Sequence, residues 1–156
     1  MLLIITGMIA ILLYLLVQMR QRIFGVLGLG LVAGTVLVES VGIYVSNYLS
    51  MLKVLVAPLD YKSVSSIVLI LLPALIMLIA GPSSTNKKRS RLGALLFAIF
   101  STALILVALA GSLVTSDEPT RQILSFISKN QSYILPTIII LSVIDIILYR
   151  PPKIEK

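Results

Sequence analysis

Cysteine, histidine and tryptophan are absent from this chain of 156 residues. Without cysteine there is no disulfide, no thiolate nucleophile and no sulfur ligand for a metal. Without histidine the commonest general base and transition-metal or haem ligand is missing. Charge is scarce as well. Asp, Glu, Lys and Arg make up 12% of the residues, against roughly 25% in a soluble chain.

Hydrocarbon takes their place. Hydrophobic residues are 58% of the chain and the mean hydropathy is +1.09. A bilayer core about 30 Å thick takes about 20 helical residues to cross, so long apolar runs read as membrane spans. Five segments stand out: Leu2 to about Met19, Ile23 to about Val45, about Val64 to Ala80, Leu92 to Val114, and about Tyr133 to Leu148. Each is expected to be helical, because an isolated strand in lipid leaves backbone N–H and C=O groups unpaired. The expected fold is all-α: one integral membrane bundle over residues 1–156, with about five transmembrane helices. The first segment has no basic flank before it and no small-residue cleavage site after it, and reads as a retained span rather than a signal peptide.

Charge sets the expected orientation. Arg20 and Arg22, then Lys87, Lys88, Arg89 and Arg91, then Arg150, Lys153 and Lys156 fall on one side of a five-span protein. The other side holds Lys53, Lys62, Arg121 and Lys129, diluted by Asp60, Asp117 and Glu118. Basic loops stay cytoplasmic, which places the N-terminus outside and the C-terminus inside. Tyr44, Tyr48, Tyr61 and Tyr133 fall at outer helix ends, and Tyr14 and Tyr149 toward inner ends, as expected of rings that prefer the headgroup level. The net charge of +7 is thus assigned to topology. No specific nucleic acid is expected, and "KKRSR" as a ligand site for RNA or anionic lipid is the lesser reading.

The two outer loops carry helical patterns. Ser46, Ser50, Lys53 and Ala57 recur at helical spacing among Leu49, Met51, Leu52, Leu55 and Val56, until Pro58 stops the pattern. "SDEPTRQILSFISKN" opens with Ser116 and Asp117 as cap candidates and Pro119 in the first turn. Ile123, Phe126 and Ile127 then face away from Arg121, Ser125, Ser128 and Lys129. Both are expected to be amphipathic helices on the outer surface.

"GVLGLGLVAG", Gly25 to Gly34, lacks both the G-x-G-x-x-G of a dinucleotide fold and the G-K-[ST] of a P-loop, and its flanks are membrane helix rather than strand. As a helix at about 100° per residue it puts Gly30 and Gly34 on one face, a small-xxx-small contact. Gly28, Thr35, Glu39, Gly42 and Ser46 fall on another. Such a helix belongs near the centre of the bundle. Ala94, Ala98, Ser101, Ala108 and Ser112, with Ile105 the one bulky member, form the matching stripe on the fourth span, for packing within one chain or between subunits. Glu39 and Asp145 are ionisable groups within spans, costly unless paired, wet or neutralised. Water or an outer Lys can reach Glu39; Arg150, Arg20 or Arg22 can reach Asp145. Pro73 is expected to kink or break the third span.

The organisation resembles the colicin V production protein family. The resemblance lies in "RQRIFGVLGLGLVAGTVL", in the amphipathic "SNYLSMLKVL", and in the fourth span opening with "RSRLGALLFAIF"; it covers about residues 1–115. The family's fourth span continues with further Gly and Arg, where this chain has Phe97, Ser101 and Thr102, and the fifth span is an addition. The resemblance implies a bacterial inner-membrane protein tied to envelope maintenance and peptide-toxin export, with no catalytic residue and no cofactor. The expected activity is therefore non-enzymatic: an accessory factor working in the lipid bilayer by helix packing, with self-association or other membrane subunits as partners. The alternative is a small channel, transporter subunit or holin-like pore, with Thr35, Glu39 and Ser46 along a hydrated path.

Overall fold

The computed structural model of the chain describes residues 2–51, 60–82, 87–110 and 118–148. These residues form helices and no strand: α1 (Leu2–Arg20), α2 (Phe24–Met51), α3 (Tyr61–Ala80), α4 (Lys87–Ala110), α5 (Glu118–Lys129) and α6 (Gln131–Ile147). Three of them, α2, α3 and α4, are long and apolar enough to cross a bilayer, and α5 and α6 form a pair bent by 62°. The apolar side chains left exposed on α1 to α4 and α6, among them Met8, Ile43, Ile79, Leu92 and Ile147, suit a hydrocarbon solvent rather than water. The protein is a membrane-embedded helical bundle.

Contacts fix the directions of the helices. Gly25 and Gly28 of α2 lie against Ser142, Ile146 and Ile138 of α6, and Gly30 and Gly34 against Ala74 and Ile70 of α3. Both pairs are therefore antiparallel. Phe24 of α2 seats on Gly93 of α4, while Thr35 and Glu39 share a cavity with Leu104 and Ala108, so α2 and α4 run parallel. One end of the bundle collects the basic residues at the end of α1, the start of α2 and the start of α4. The other collects Tyr44, Tyr48, Tyr61 and Tyr133.

α2 touches α3, α4 and α6 and is the central helix. Its glycines explain how. A Cβ on Gly30 would stand 2.8 Å from the Ala74 Cα, and one on Gly34 would run into the Ile70 backbone. Removing both Cβ atoms lets two backbones meet with few side chains between them, which is how membrane helices gain packing energy where no hydrophobic drive separates them from lipid. The partner of this glycine face is α3. The stripe Ala94, Ala98 and Ser101 is buried, but it belongs to a helix whose main neighbour is α1, so its expected pairing with Gly30 and Gly34 is not the one found. Either surface is small enough; the short link between α2 and α3 makes them the antiparallel neighbours.

Four local expectations change. α4 starts at Lys87 rather than Leu92, so Lys87, Lys88, Arg89 and Arg91 are helical. α2 runs without a break to Met51, because Ser46 and Ser50 turn their hydroxyls back to the carbonyls of Ile43 and Asn47 at 3.0 and 2.7 Å and do not compete with the helix. Lys53 to Pro58, like the cap candidates Ser116 and Asp117, lie outside the described residues. α3 continues through Pro73, whose surroundings hold the backbone at the closest approach of Gly30. The buried anchor of α5 is Leu124, while Phe126 stays 68% exposed.

Gly34→Ala is expected to lower stability by about 1–3 kcal/mol, because the methyl meets rigid backbone. Gly42→Ala, whose nearest neighbour is Val38 of its own helix at 3.6 Å, is expected to be neutral or slightly stabilising. Thermal unfolding followed by circular dichroism in detergent compares the two; equal effects would show that α2 and α3 are not in backbone contact.

Candidate functional site

Polar chemistry concentrates at the basic end. Asp145, in the last turn of α6, accepts the backbone N–H of Gly25 at 2.8 Å and pairs with Arg89 of α4 at 2.7 Å. The Gly25 N–H is in the first turn of α2, where donors have no helical partner and a carboxylate meets the positive end of the macrodipole. The Arg89 guanidinium also donates to the main-chain carbonyls of Asp145 and of Leu148, the latter at 2.8 Å. One acid and one base thus close the start of α2 and the end of α6 together. Arg22, in the turn between α1 and α2, does the same for α3. It donates to the carbonyls of Leu78 at 2.8 Å, Ile79 at 2.6 Å and Gly81. Orphan carbonyls at a helix C-terminus take a cation readily.

The expected partners of Asp145 therefore need correction. Arg89, not Arg20, is its base; Arg22 is engaged on α3, and Arg150 lies outside the described residues. Two serines that the sequence reading passed over share the arrangement. Ser142 is one turn before Asp145 and faces Gly28, and Ser90 follows Arg89 at the start of α4. The signal for Ser142 was present, since Ile138, Ser142 and Asp145 recur at helical spacing on one face of α6.

At the tyrosine end the helix termini are also satisfied from neighbours. Asp60 caps α3 by accepting the Ser63 N–H at 3.0 Å. Ser63, through its side chain and then its N–H, holds the Asp60 carboxyl below its ordinary value of 3.8. The Ser63 hydroxyl has one proton and gives it to the Ala108 carbonyl of α4 at 3.0 Å, so the N–H is the donor whose geometry fits.

Openings lie between helices among the described residues. One, about 510 Å³, is an apolar groove between α1 and α4, lined by Ala10, Ile11, Tyr14, Leu95, Ala98, Ile99, Thr102, Ala103 and Leu106, with Ile127 of α5 at its edge. The Thr102 hydroxyl is buried and has no hydrogen-bond partner. A second opening, about 180 Å³, brings Thr35 and Glu39 of α2 together with Ser66 and Ile70 of α3, Leu104 and Ala108 of α4, and Leu135 of α6. Thr35 is bonded to the Val32 carbonyl at 2.7 Å and Ser66 to that of Lys62. Glu39 has exposed surface. A third opening, small and polar, lies at the basic end. Glu39 and Asp145 are not brought together: Gly25, bound to Asp145, is fourteen residues before Glu39, about 21 Å along a helix. Gly28, Gly30 and Gly34 are brought together with α6 and α3, and Ala94, Ala98 and Ser101 are separate from them on α4. Among the described residues no cluster of three acids is placed to hold a metal.

These features define a class: a membrane-embedded helical bundle whose helix ends are cross-tied by partly buried arginine and aspartate. No protein-family model, curated protein or solved structure matches the chain.

Replacing Asp145 by Asn or Arg89 by Gln is expected to cost about 1–3 kcal/mol each, since each leaves charge-assisted hydrogen bonds unmade. A double-mutant cycle on thermal stability is expected to show coupling of at least about 0.5 kcal/mol; strict additivity would show that the pair does not act as a unit. The Asp60 cap predicts a pH dependence. A carboxylate with a folded pKa below its unfolded one contributes stability that is complete above the unfolded value and is lost as pH falls through the folded value. The melting temperature is expected to fall below the ordinary Asp range, and Asp60→Asn is expected to flatten that part of the profile.

Proposed function

We propose that the chain is a non-enzymatic, multi-pass protein of the bacterial inner membrane that acts by assembling with a second copy or with other membrane subunits. In this reading α1, α2, α3, α4 and α6 all cross and α5 lies along the outer surface. The N-terminus is outside and the basic end is cytoplasmic. The resemblance to the colicin V production family supplies the setting, envelope maintenance or export of a peptide toxin.

The observation that supports assembly is the α1–α4 groove. Ala10, Ala98 and Ala103 line it, and small side chains let another helix approach closely, which drives association in lipid. The Gly30–Gly34 face is not available for this role, because α3 occupies it. A second reading, a small channel or transporter subunit, is favoured by the cavity that joins Thr35, Glu39 and Ser66. Ile70 lines that cavity, and its backbone is packed against Gly34, so a path between α2 and α3 at that level would require the two helices to separate.

A photo-crosslinking residue at Ile99, exposed and on the groove, is expected to capture a second copy or a membrane subunit in cells. Ala103→Trp, which fills the groove, is expected to abolish the adduct while helicity is kept. Adducts with lipid alone would overturn the proposal. Ion or solute flux from liposomes that is lost in Glu39→Gln would move the conclusion to the second reading.

A further inference from the structure

The third opening, about 210 Å³, lies between the C-terminus of α1 and the first turns of α4, and Gln18, Gln21, Lys87, Ser90 and Arg91 line it. Its electrostatics are unbalanced. The N-terminus of a helix carries the positive end of the macrodipole and favours acids, yet α4 opens with "KKRSR" and no acid in its first turn. Asp145 is engaged with Arg89 and Gly25. Lys87 and Arg91 make no ion pair with any described residue.

Ser90 points to a ligand independently. It is 3% exposed, and its hydroxyl has no hydrogen-bond partner. Other helical serines of this chain, Ser40, Ser46, Ser50 and Ser66, bond the carbonyl three or four residues earlier. Ser90 does not, and like the buried hydroxyls of Ser101, Thr102 and Ser142 it has no partner, although a buried polar group without a partner is destabilising; of these four, Ser90 is the one that lines the polar opening. Gln21, at φ 50°, turns the chain sharply after α1 and brings a second carboxamide to the opening beside Gln18.

We propose that this pocket binds a phosphate group, either the phosphate ester of an anionic membrane lipid or free inorganic phosphate. The donor set fits: Arg91 offers a planar fork for two oxygens, Lys87 a point charge, and Ser90, Gln18 and Gln21 neutral donors for the rest. A helix N-terminus is a general site for such an anion. Retention of basic residues on the cytoplasmic side accounts for Lys87 and Arg91, but not for two glutamines and a buried, unbonded hydroxyl at the same place. The inference is independent of the assembly groove, which opens between the same two helices on an apolar stretch.

Isothermal titration of the full chain in nonionic detergent tests it, with dihexanoyl phosphatidic acid, dihexanoyl phosphatidylcholine and inorganic phosphate as probes. Phosphatidic acid is expected to bind one per chain and at least about tenfold more tightly than phosphatidylcholine, whose choline cation meets Lys87 and Arg91. Ser90→Ala and Arg91→Gln are each expected to weaken binding at least about fivefold, with the ligand-free melting temperature of Ser90→Ala unchanged or raised, since the hydroxyl removed is buried and unbonded. Arg20→Gln, which removes the same charge outside the lining, is expected to change it less than about twofold. Saturation by inorganic phosphate identifies the free anion as ligand, and binding of the lipid alone identifies the headgroup; both support the site. Wild-type binding by Ser90→Ala, equal losses in Arg20→Gln and Arg91→Gln, or no binding of any probe overturns it. Should Arg91→Gln not fold, Ser90→Ala decides, because its hydroxyl bonds nothing in the protein.

Discussion

The Asp145 carboxylate is held by two partners that no apolar contact could replace, and the arrangement of the bundle depends on them. One is the Gly25 N–H in the first turn of α2, and the other is Arg89 of α4, whose guanidinium gives it two hydrogen bonds. In water, exposed N–H and C=O groups at helix ends are satisfied by solvent. Near the hydrocarbon core each open group is costly, so a helix can end there only where another part of the chain supplies a partner. Arg22 on α3 and Arg89 on α6 supply carbonyl partners, and Asp145 supplies the amide partner. The cross-ties thereby determine which helix ends lie together. They place α2 between α3 and α6 and bring the start of α4 beside them.

Within that frame the glycines of α2 set the separations. Gly25 and Gly28 admit α6, and Gly30 and Gly34 admit α3, so one helix is smooth on two sides and receives a neighbour on each. Phe24 fills the gap beyond them. Its ring lies 6.0 Å from that of Phe100, and its backbone rests on Gly93 of α4. Where α2 has a Cβ-free face, helix meets helix; where it carries Thr35 and Glu39, a cavity is left. Close packing and the acid-lined opening are thus two consequences of the same sequence periodicity on one helix.

The openings differ in chemistry because they lie at different depths. The α1–α4 groove is apolar along its length, with Thr102 as its buried unbonded group. Following the same two helices toward the basic end, the lining changes to glutamine, lysine, serine and arginine. A single helix pair thus presents an apolar groove and, beyond it, a polar recess.

Much of the fold was legible in the sequence. Apolar runs and the rule that backbone in lipid must bond internally located the helices. The ends were less legible: the helical pattern through Ser46 and Ser50 reads as a separate amphipathic helix yet continues α2 without a break, and "KKRSR" looks like a loop by composition yet is helical. Of the candidate site, the smooth faces of α2 and the presence of a paired Asp145 could be read from helical spacing and from the cost of a charge in a span. Their partners could not. The stripe Ala94, Ala98 and Ser101 and the segment Ile70 to Ala74 are both acceptable neighbours for a glycine face, and several arginines near one end are equivalent suitors for one aspartate. The sequence by itself determined an all-helical membrane protein with a smooth central helix and one basic end. Only the tertiary structure decided that α3 meets Gly30 and Gly34, that Arg89 holds Asp145, and that Ser90 is buried without a partner. Periodicity records which face of a helix is small or charged, and carries no address for the surface that will meet it.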